Sequence, residues 1–264
     1  MRIARYSGPD GSVGFGVVDG VGPDGETDAS SSITPIVGHP YGPLEIAGSP
    51  FALADVRLLA PVLPSKIVAV GRNYAAHAKE LGNEVPSEPM IFLKPSTSVI
   101  GPGDAIALPL QSEQVEHEAE LAVVIGRLCS EVPIRRVPDV VLGYTCANDV
   151  SARDLQASDG QWGRAKGFDT FCPLGPWIET ELDASSVAVR CTVNGEVRQD
   201  GTTADMVRGV DELVAWISNV MTLLPGDVIL TGTPAGVGPI VDGDSVSISI
   251  SSLGTLTNRA VTRD

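Results

Sequence analysis

The sequence predicts a β-rich α+β fold with one large domain and a small N-terminal domain. The 264-residue chain is 43% hydrophobic, which is enough for a sizeable core. Only two segments, residues 73–82 and 203–226, have the apolar spacing of a helix. From Lys66 onward, short β-branched segments bounded by Gly, Pro or Asp indicate strands; they are KIVAVG, MIFLKP, LAVVIG, VVLGYTCAND, VAVRCTVNG, DVILTG and DSVSISI.

The first 60 residues are broken by frequent Gly and Pro into short strands and turns. RIARY, GFGVVDG and ALADVRLLAP favour strands around a loop rich in Gly, Ser and Pro. LLAPVLPSKI, with two prolines, indicates a linker. We therefore predict a small domain over residues 1–60 and the main domain over residues 61–264.

Charge and cysteine usage narrow the function classes. With 18 basic and 33 acidic side chains, the formal charge is −15, so we expect weak binding to nucleic acid or to an anionic membrane. No segment approaches the ~20 apolar residues of a membrane span, and the N-terminus lacks the apolar stretch of a signal peptide. The four cysteines are widely spaced without a CxxC pair. These patterns predict a cytoplasmic protein with free thiols.

The segment VEHEAELAVVIG, residues 115–126, places glutamates at every second position before an aliphatic run. In a strand, Glu116, Glu118 and Glu120 would project from the same face. An edge strand with a solvated acidic face is one explanation. However, the aliphatic run indicates a central strand, where neighbouring carboxylates repel unless a cation lies between them. A hard divalent ion with oxygen ligands would resolve this conflict.

Two further segments could complete such a site. Asp149 follows the β-rich part of GYTCANDVSARD and could be a third ligand, although Asn-Asp is also common in turns and helix caps. Lys166, in QWGRAKGFDTFCPLGP, could lie on the surface or could meet an anion beside a metal.

The predicted helix at residues 73–82 carries His77 and Glu80 three residues apart. This spacing places both on one face, where the carboxylate could orient the imidazole for proton transfer. A solvent-facing polar helix is the alternative. The Gly-rich LTGTPAGVGPI, residues 230–240, follows a strand and could present backbone N–H groups to a ligand. It matches neither a P-loop nor a dinucleotide-binding motif.

Residues 66–260 resemble the fumarylacetoacetate hydrolase family throughout. Each motif is weak alone, but they occur in the family's order; they are KIVAVGRNYAAHAKELG, FLKPSTSVIGPGD, EHEAELAVVIGR, GYTCANDVSARDLQ, RAKGFDTFCPLGPWI, LLPGDVILTGTPAGVG and LGTLTNRA. The resemblance implies a catalytic domain with a curled mixed β-sheet and a few covering helices. It also implies a homodimer.

The resemblance also assigns roles to individual residues. It makes Glu118, Glu120 and Asp149 the ligands of Mg²⁺ or Mn²⁺, with Ca²⁺ as a further candidate, and leaves Glu116 outside, next to solvent. The implied catalytic residues are His77 and Glu80, as an acid/base pair on a lid, and Lys166 beside the metal. The implied substrate contacts are Arg72, Tyr74, Gln156 and Thr233.

The implied substrate is a small 2-oxo acid whose enolate the metal stabilises. Our first prediction is a metal-dependent isomerase or decarboxylase of aromatic catabolism, resembling 2-hydroxyhepta-2,4-diene-1,7-dioate isomerase. An acylpyruvate hydrolase or oxaloacetate decarboxylase would share the same residues. A non-catalytic metal-binding protein is the alternative from a different class. Lys94, Arg72 and Arg153 are the candidates for holding a second carboxylate.

Overall fold

The computed structural model describes residues 1–263. Its first part contains one 3₁₀ turn at Leu53–Asp55 and five strands: β1 Arg2–Ser7, β2 Val13–Val21, β3 Thr27–Ile36, β4 Phe51–Ala52 and β5 Arg57–Leu59.

The remainder consists mainly of strands as well. These strands are β6 Ile67–Gly71, β7 Met90–Lys94, β8 Val99–Ile100, β9 Ala105–Leu108, β10 Val115–His117, β11 Ala119–Ile125, β12 Val141–Asn148, β13 Ser151–Ala152, β14 Cys172–Glu179, β15 Ala188–Val193, β16 Glu196–Thr202, β17 Val228–Leu230, β18 Gly238–Pro239, β19 Ser245–Ile250 and β20 Gly254–Thr262. The α-helices are α1 Ala75–Glu80, α2 Arg153–Asp159, α3 Gly163–Gly167 and α4 Val210–Val220. Further 3₁₀ turns lie at Ser96–Ser98, Ile134–Asp139 and Thr203–Asp205.

One large mixed sheet dominates the fold, in the order β4-β3-β2-β1-β14-β12-β11-β17-β6-β7. Strand β5 joins β1, and β8 joins β14. The pairs β17–β6 and β8–β14 are parallel, whereas the other pairs in this sheet are antiparallel. Two smaller sheets follow the orders β13-β10-β18 and β16-β15-β19-β20-β9. The predicted β-rich α+β class is therefore confirmed.

The aliphatic strand β11 lies centrally between β12 and β17, as its sequence predicts. Leu121, Val123 and Ile125 pack into the main core. Ala122 and Val124, which point to the opposite face, pack into a second core with β6, β14 and β17. Because both faces are buried, the strand is apolar at every position after Glu120 rather than alternating.

The N-terminal strands have a small core of their own. Tyr6, Val18, Ile33 and Leu53 pack there together with Trp177 of β14. Strand β1 also pairs with β14, so the N-terminal strands extend the large sheet. The predicted linker is packed rather than loose, since Val62 is fully buried in the second core. The domain boundary at residue 60 stays a prediction.

The helices are shorter than the sequence predicts. α4 begins after Gly209 because residues 203–205 form a 3₁₀ turn, and α1 ends where Gly82 adopts a φ of 68°. Its C-terminus is closed by an N–H···O bond of 2.8 Å from Asn83 to Ala78, as the Leu-Gly-Asn sequence predicts. None of the described helices has the length and hydropathy required to span a membrane. All four cysteines are free, as expected.

Candidate metal centre and active site

Three buried carboxylates converge where β11 begins and β12 ends. One oxygen each from Glu118, Glu120 and Asp149 lies within 4.8 Å of the others. The pairing of Ala119 with Asn148 places the two strand ends side by side. The Asp149 N–H donates to the Glu118 carbonyl at 2.9 Å, and the Glu118 N–H donates to the Asn148 side chain at 2.9 Å. The backbone therefore fixes the relative position of all three acids.

Two buried lysines neutralise part of this charge. Lys166 Nζ lies 2.7 Å from Glu118 Oε2 and 2.8 Å from Asp149 Oδ2. Lys94 Nζ lies 2.5 Å from Asp149 Oδ1. Both lysines are almost fully buried, and Asp149 is therefore bound on both oxygens. From the sequence, we predicted Lys94 only as a candidate for holding the second carboxylate of the substrate.

Glu120 has no cationic partner among residues 1–263; its Oε2 accepts a hydrogen bond from the Gly232 N–H at 2.7 Å. Burial, followed by the charges of Asp149 and Glu118, raises the pKa of Glu120 well above its ordinary value. A cation beside Glu120 would remove this penalty. The three-oxygen donor set and its missing positive charge therefore fit a hard divalent ion.

The pKa of Glu118 shifts in the opposite direction. Burial alone would raise it, but the charges of Lys166 and Arg153 outweigh burial and hold the pKa well below its ordinary value. Burial likewise opposes the charged form of Lys166, whereas Asp149 and Glu118 raise the Lys166 pKa above its ordinary value. The two carboxylates therefore favour the charged form of Lys166 in this buried site.

Arg153, at the start of α2, connects the triad to its surroundings. Its Nε lies 2.7 Å from Glu116 Oε2, its Nη2 2.6 Å from Glu118 Oε1 and its Nη1 2.6 Å from Gln156 Oε1. Glu116 is thus outside the triad, but it is buried and paired instead of solvated. No local sequence pattern predicts this pair, because the two residues lie 37 positions apart.

His77 and Glu80 form the side-chain contact that their spacing predicts. His77 Nδ1 lies 3.2 Å from Glu80 Oε2, and His77 is 6% exposed. Glu80 Oε1 also accepts a hydrogen bond from the Gly236 N–H at 3.0 Å. Of the Gly-rich segment, the N–H groups of Gly232 and Gly236 thus donate to carboxylates of the site. That other N–H groups of this segment contact a ligand stays a prediction.

A cavity of about 290 Å³ collects most of the predicted site residues. Glu80 does not line it and reaches it through His77. Tyr74 does not line it either, and its buried hydroxyl has no hydrogen-bond partner among residues 1–263. Burial and the charge of Glu120 raise the Tyr74 pKa, so the phenol stays neutral. The predicted residues in the wall are Arg72, His77, Glu118, Glu120, Asp149, Gln156, Lys166 and Thr233.

Thr233 is held in the cavity wall by Gln199, which the sequence did not indicate. Thr233 Oγ1 donates to the Ala119 carbonyl at 2.7 Å and accepts from Gln199 Nε2 at 2.7 Å. Gln199 Nε2 also donates to the Pro234 carbonyl, while its Oε1 accepts from the Ala119 N–H and lies 3.0 Å from His117 Nδ1. This fully buried amide connects β16, the acidic strand and the Gly-rich segment.

Comparison with known proteins identifies the family of this chain. Residues 66–261 match the family model described as "Fumarylacetoacetate (FAA) hydrolase C-terminal". The chain belongs to the fumarylacetoacetate hydrolase family. Residues 1–61 match a second model, described as "Rv2993c-like, N-terminal".

Two similar solved structures span the whole chain. One is 5-carboxymethyl-2-hydroxymuconate delta-isomerase from Mycobacterium smegmatis, with 55% identity, a TM-score of 0.91 and coverage of 100% of both chains. The other is 2-hydroxyhepta-2,4-diene-1,7-dioate isomerase from Mycobacterium marinum, with 51% identity, a TM-score of 0.91 and coverage of 100% of this chain and 99% of that chain. The predicted family and fold are confirmed.

More distant members carry other activities. Human mitochondrial oxaloacetate tautomerase FAHD2A is 46% identical over 79% of this chain and 70% of its own length. Fumarylpyruvate hydrolase from Pseudomonas aeruginosa, solved with Mn²⁺ and pyruvate, is 32% identical, with a TM-score of 0.72 over 78% of this chain and 92% of that chain. The chain is therefore an enzyme of a family that includes isomerases, tautomerases and hydrolases.

Proposed function

We propose that this enzyme is divalent-metal-dependent and acts on 2-oxo or 2-hydroxydienoic dicarboxylic acids through an enolate. Its reaction would resemble that of 2-hydroxyhepta-2,4-diene-1,7-dioate isomerase. The observation that carries the proposal is that His77, paired with Glu80, lines the same cavity as the buried triad. The names of two structural relatives that span the whole chain support the isomerase assignment.

Glu118, Glu120 and Asp149 would hold the cation. Mg²⁺ and Mn²⁺ suit three carboxylates, and the Mn²⁺ in the fumarylpyruvate hydrolase supports this choice. When bound, the ion would act as a Lewis acid that polarises the 2-oxo group. The assignment of these three residues as metal ligands rests on the convergence of one oxygen from each of them.

The remaining groups suggest how protons and charge are handled. Lys166 stays charged beside Glu118 and Asp149, and would stabilise negative charge that develops on the substrate oxygen. Since His77 Nδ1 is bonded to Glu80, Nε2 is the ring atom available to the substrate. For a 2-hydroxydienoate, the 2-hydroxyl would lose its proton to give a dienolate, and His77 would deliver a proton to the far carbon of the diene, which leaves a 2-oxo group conjugated with the remaining double bond.

A second candidate is a tautomerase or decarboxylase of oxaloacetate. The cavity of about 290 Å³ lies at the lower end of small-molecule sites and suits a compact diacid. The similarity to the human tautomerase supports this alternative. Acylpyruvate hydrolysis would require His77 to activate a water molecule instead. We also propose the homodimer that the family resemblance implies, which sedimentation would test.

A substrate panel tests the proposal. The protein is stripped of metal, then assayed with Mg²⁺ or Mn²⁺ on the dienedioate, on oxaloacetate and on an acylpyruvate. We expect metal-dependent isomerisation of the dienedioate, abolished in His77→Ala. Faster turnover of oxaloacetate or acylpyruvate would move the assignment to that reaction. Activity that persists after metal removal would contradict metal dependence.

A further inference from the structure

We infer that Arg72 binds the second carboxylate of a dicarboxylic substrate and sets a preference for diacids over monoacids. This inference rests on the proposed function, because the 2-oxo end must first be held at the triad. The far carboxylate then needs a cation in the same cavity. Apart from the imidazole of His77, the basic side chains in the cavity wall are Arg72, Arg153 and Lys166.

Two of these cations are already occupied. Lys166 Nζ binds Glu118 and Asp149. Arg153 uses Nε and both terminal nitrogens on Glu116, Gln156 and Glu118.

The third sequence candidate, Lys94, does not line the cavity. It is 1% exposed, and its Nζ is bound to Asp149 and to the Val150 carbonyl. Lys94 can therefore not reach a carboxylate at the far end of a substrate.

Arg72 differs from these three residues. Its half-buried side chain makes no hydrogen bond or ion pair within the described residues 1–263, although it lines the cavity. Its Cζ lies 6.0 Å from the ring centroid of Trp162. A guanidinium that stacks over an aromatic ring makes this contact through its own planar face. Its N–H donors, which point outward in that plane, stay free for a carboxylate. Arg72 is thus a positioned cation with unused donors.

The indole under Arg72 is itself held in place. A Cβ atom on Gly71 would lie 2.7 Å from Trp162 Cζ3, so the ring packs against β6 at a distance that only glycine allows. Phe92 packs edge to face against Trp162, with ring centroids 5.2 Å apart at 73°. Both Phe92 and Trp162 line the cavity. The aromatic rings that support Arg72 are therefore part of the cavity wall.

The backbone also singles out this position. Arg72 has a φ of 58°, in the left-handed region that side chains other than Gly, Asn and Asp rarely adopt. The next residue anchors the turn, because Asn73 Nδ2 donates to the carbonyls of Thr231 at 2.8 Å and Arg208 at 3.0 Å. Strained backbone of this kind is concentrated at ligand sites, where the surrounding structure maintains it.

The test uses Arg72→Asn, since Asn tolerates the left-handed conformation and the fold is retained. Arg164→Gln is the control, because Arg164 is an exposed arginine paired with Asp159 outside the cavity wall. Calorimetry with saturating Mn²⁺ compares 2-oxoglutarate with 2-oxopentanoate, which differ only in the far carboxylate. Melting curves check that each variant is folded.

We expect wild-type protein and Arg164→Gln to prefer the diacid. In Arg72→Asn, diacid affinity should fall by about 30-fold or more, with monoacid affinity changed by less than about threefold. Arg72→Lys should recover part of the preference for the diacid, because lysine keeps the positive charge but lacks the paired N–H donors of the guanidinium. An unchanged diacid-to-monoacid ratio in folded Arg72→Asn would overturn the role of Arg72 alone. Failure of wild-type protein to bind either acid with Mn²⁺ would overturn the proposed function, and this inference with it.

Discussion

Glu80 accepts a hydrogen bond from the backbone N–H of Gly236 at 3.0 Å, although 156 residues separate them. The bond attaches α1 to the Gly-rich segment after β17. No side chain fits at Gly236, where an added Cβ would lie 2.2 Å from the Arg198 carbonyl oxygen and φ is 100°. The carboxylate that orients His77 is therefore held from two sides, by its own helix and by this segment.

Removing the imidazole should separate chemistry from metal binding. His77→Ala should lose turnover by about 10²–10⁴-fold, which is the usual effect of removing a general acid/base. Glu80→Gln should lose less, because it keeps an acceptor for His77 but not the charge. Steady-state rates and Mn²⁺ calorimetry measure both. Lys79→Ala, an exposed change on the same helix, is the control. A large loss of Mn²⁺ affinity in His77→Ala would instead make His77 a ligand.

Amide substitutions should distinguish the metal ligands from their neighbour. Glu118→Gln and Asp149→Asn keep the side-chain shape but remove a charge, so each should abolish turnover and weaken Mn²⁺ binding by more than about 100-fold. Glu116→Gln leaves the triad intact and removes charge only from the contacts of Glu116 with Arg153 and Gln114, so it should cost about 10-fold or less. Calorimetric titration measures these affinities. Equal losses for Glu116→Gln and Glu118→Gln would mean that the acidic strand presents different oxygens to the ion.

Metal should stabilise the folded protein. Burial and the charges of Asp149 and Glu118 disfavour the charged form of Glu120 in the metal-free protein, and an ion at ~100 times its dissociation constant contributes about 2.7 kcal/mol to the free energy of unfolding. The melting temperature of metal-free protein should therefore rise when Mn²⁺ is added. It should fall back to its original value when a chelator removes the ion. The Glu118→Gln variant should show little of this rise. Superimposable melting curves for wild-type protein with and without metal would count against the site.

Gln199 should be important for stability because all its hydrogen-bonding groups are used. Gln199→Leu would remove the hydrogen bonds that the amide makes to the Thr233 hydroxyl, the His117 ring, the Ala119 N–H and the Pro234 carbonyl, at a cost on the order of 3 kcal/mol. Gln111→Leu, at an exposed position, is the control. Urea unfolding measures the difference. A cost below that of the control variant would show that water replaces the lost contacts.

Asp227 should make stability depend on pH in the acid range. Burial would raise its pKa, but hydrogen bonds from Lys66, Ser65 and the Leu224 N–H lower it below the ordinary value. Because the folded-state pKa is lowered, the contribution is complete above about pH 4 and is lost as pH falls further. Asp227→Asn should therefore be less stable than wild type at pH 7, by about 2–3 kcal/mol.

The measurement for Asp227 is the difference in unfolding free energy between the two proteins from pH 7 to pH 3. Other carboxylates titrate in both proteins, so the difference isolates this group. The gap should narrow as pH falls below about 4. A constant gap over this range would show that Asp227 stabilises the fold through packing or neutral hydrogen bonds alone.

The sequence predicted the strands that follow simple local rules. The hairpin between β15 and β16 turns at Asn194 and Gly195, whose φ values of 52° and 81° are those that an Asn-Gly turn requires. By contrast, β14 contains two prolines, which argue against a central strand, yet it pairs with β1 and β12. Strand β3 is rich in Ser and was expected to be a loop. Long-range pairing decided both cases.

The site was predicted unevenly for a similar reason. The predicted metal ligands and the His77–Glu80 pair lie in short motifs whose spacing carries a signal. Lys94, Arg153 and Gln199 support the site from other segments through contacts that span 35 to 82 positions in the chain. No periodicity marks such residues, since their roles arise only when the strands assemble.

The register between β11 and β12 has a practical consequence. Glu120 lies opposite Ala147, and Ala119 opposite Asn148, so Asp149 meets the acidic strand in a single alignment. A slip of one residue would turn Glu120 to the other face and separate it from Asp149. If the triad is the metal site we propose, tight metal binding requires that the central strands are correctly aligned. Titrating refolding samples with Mn²⁺ would thus measure the fraction of molecules with correctly paired strands. Circular dichroism would not distinguish these molecules from those with shifted strands, because both contain the same amount of sheet.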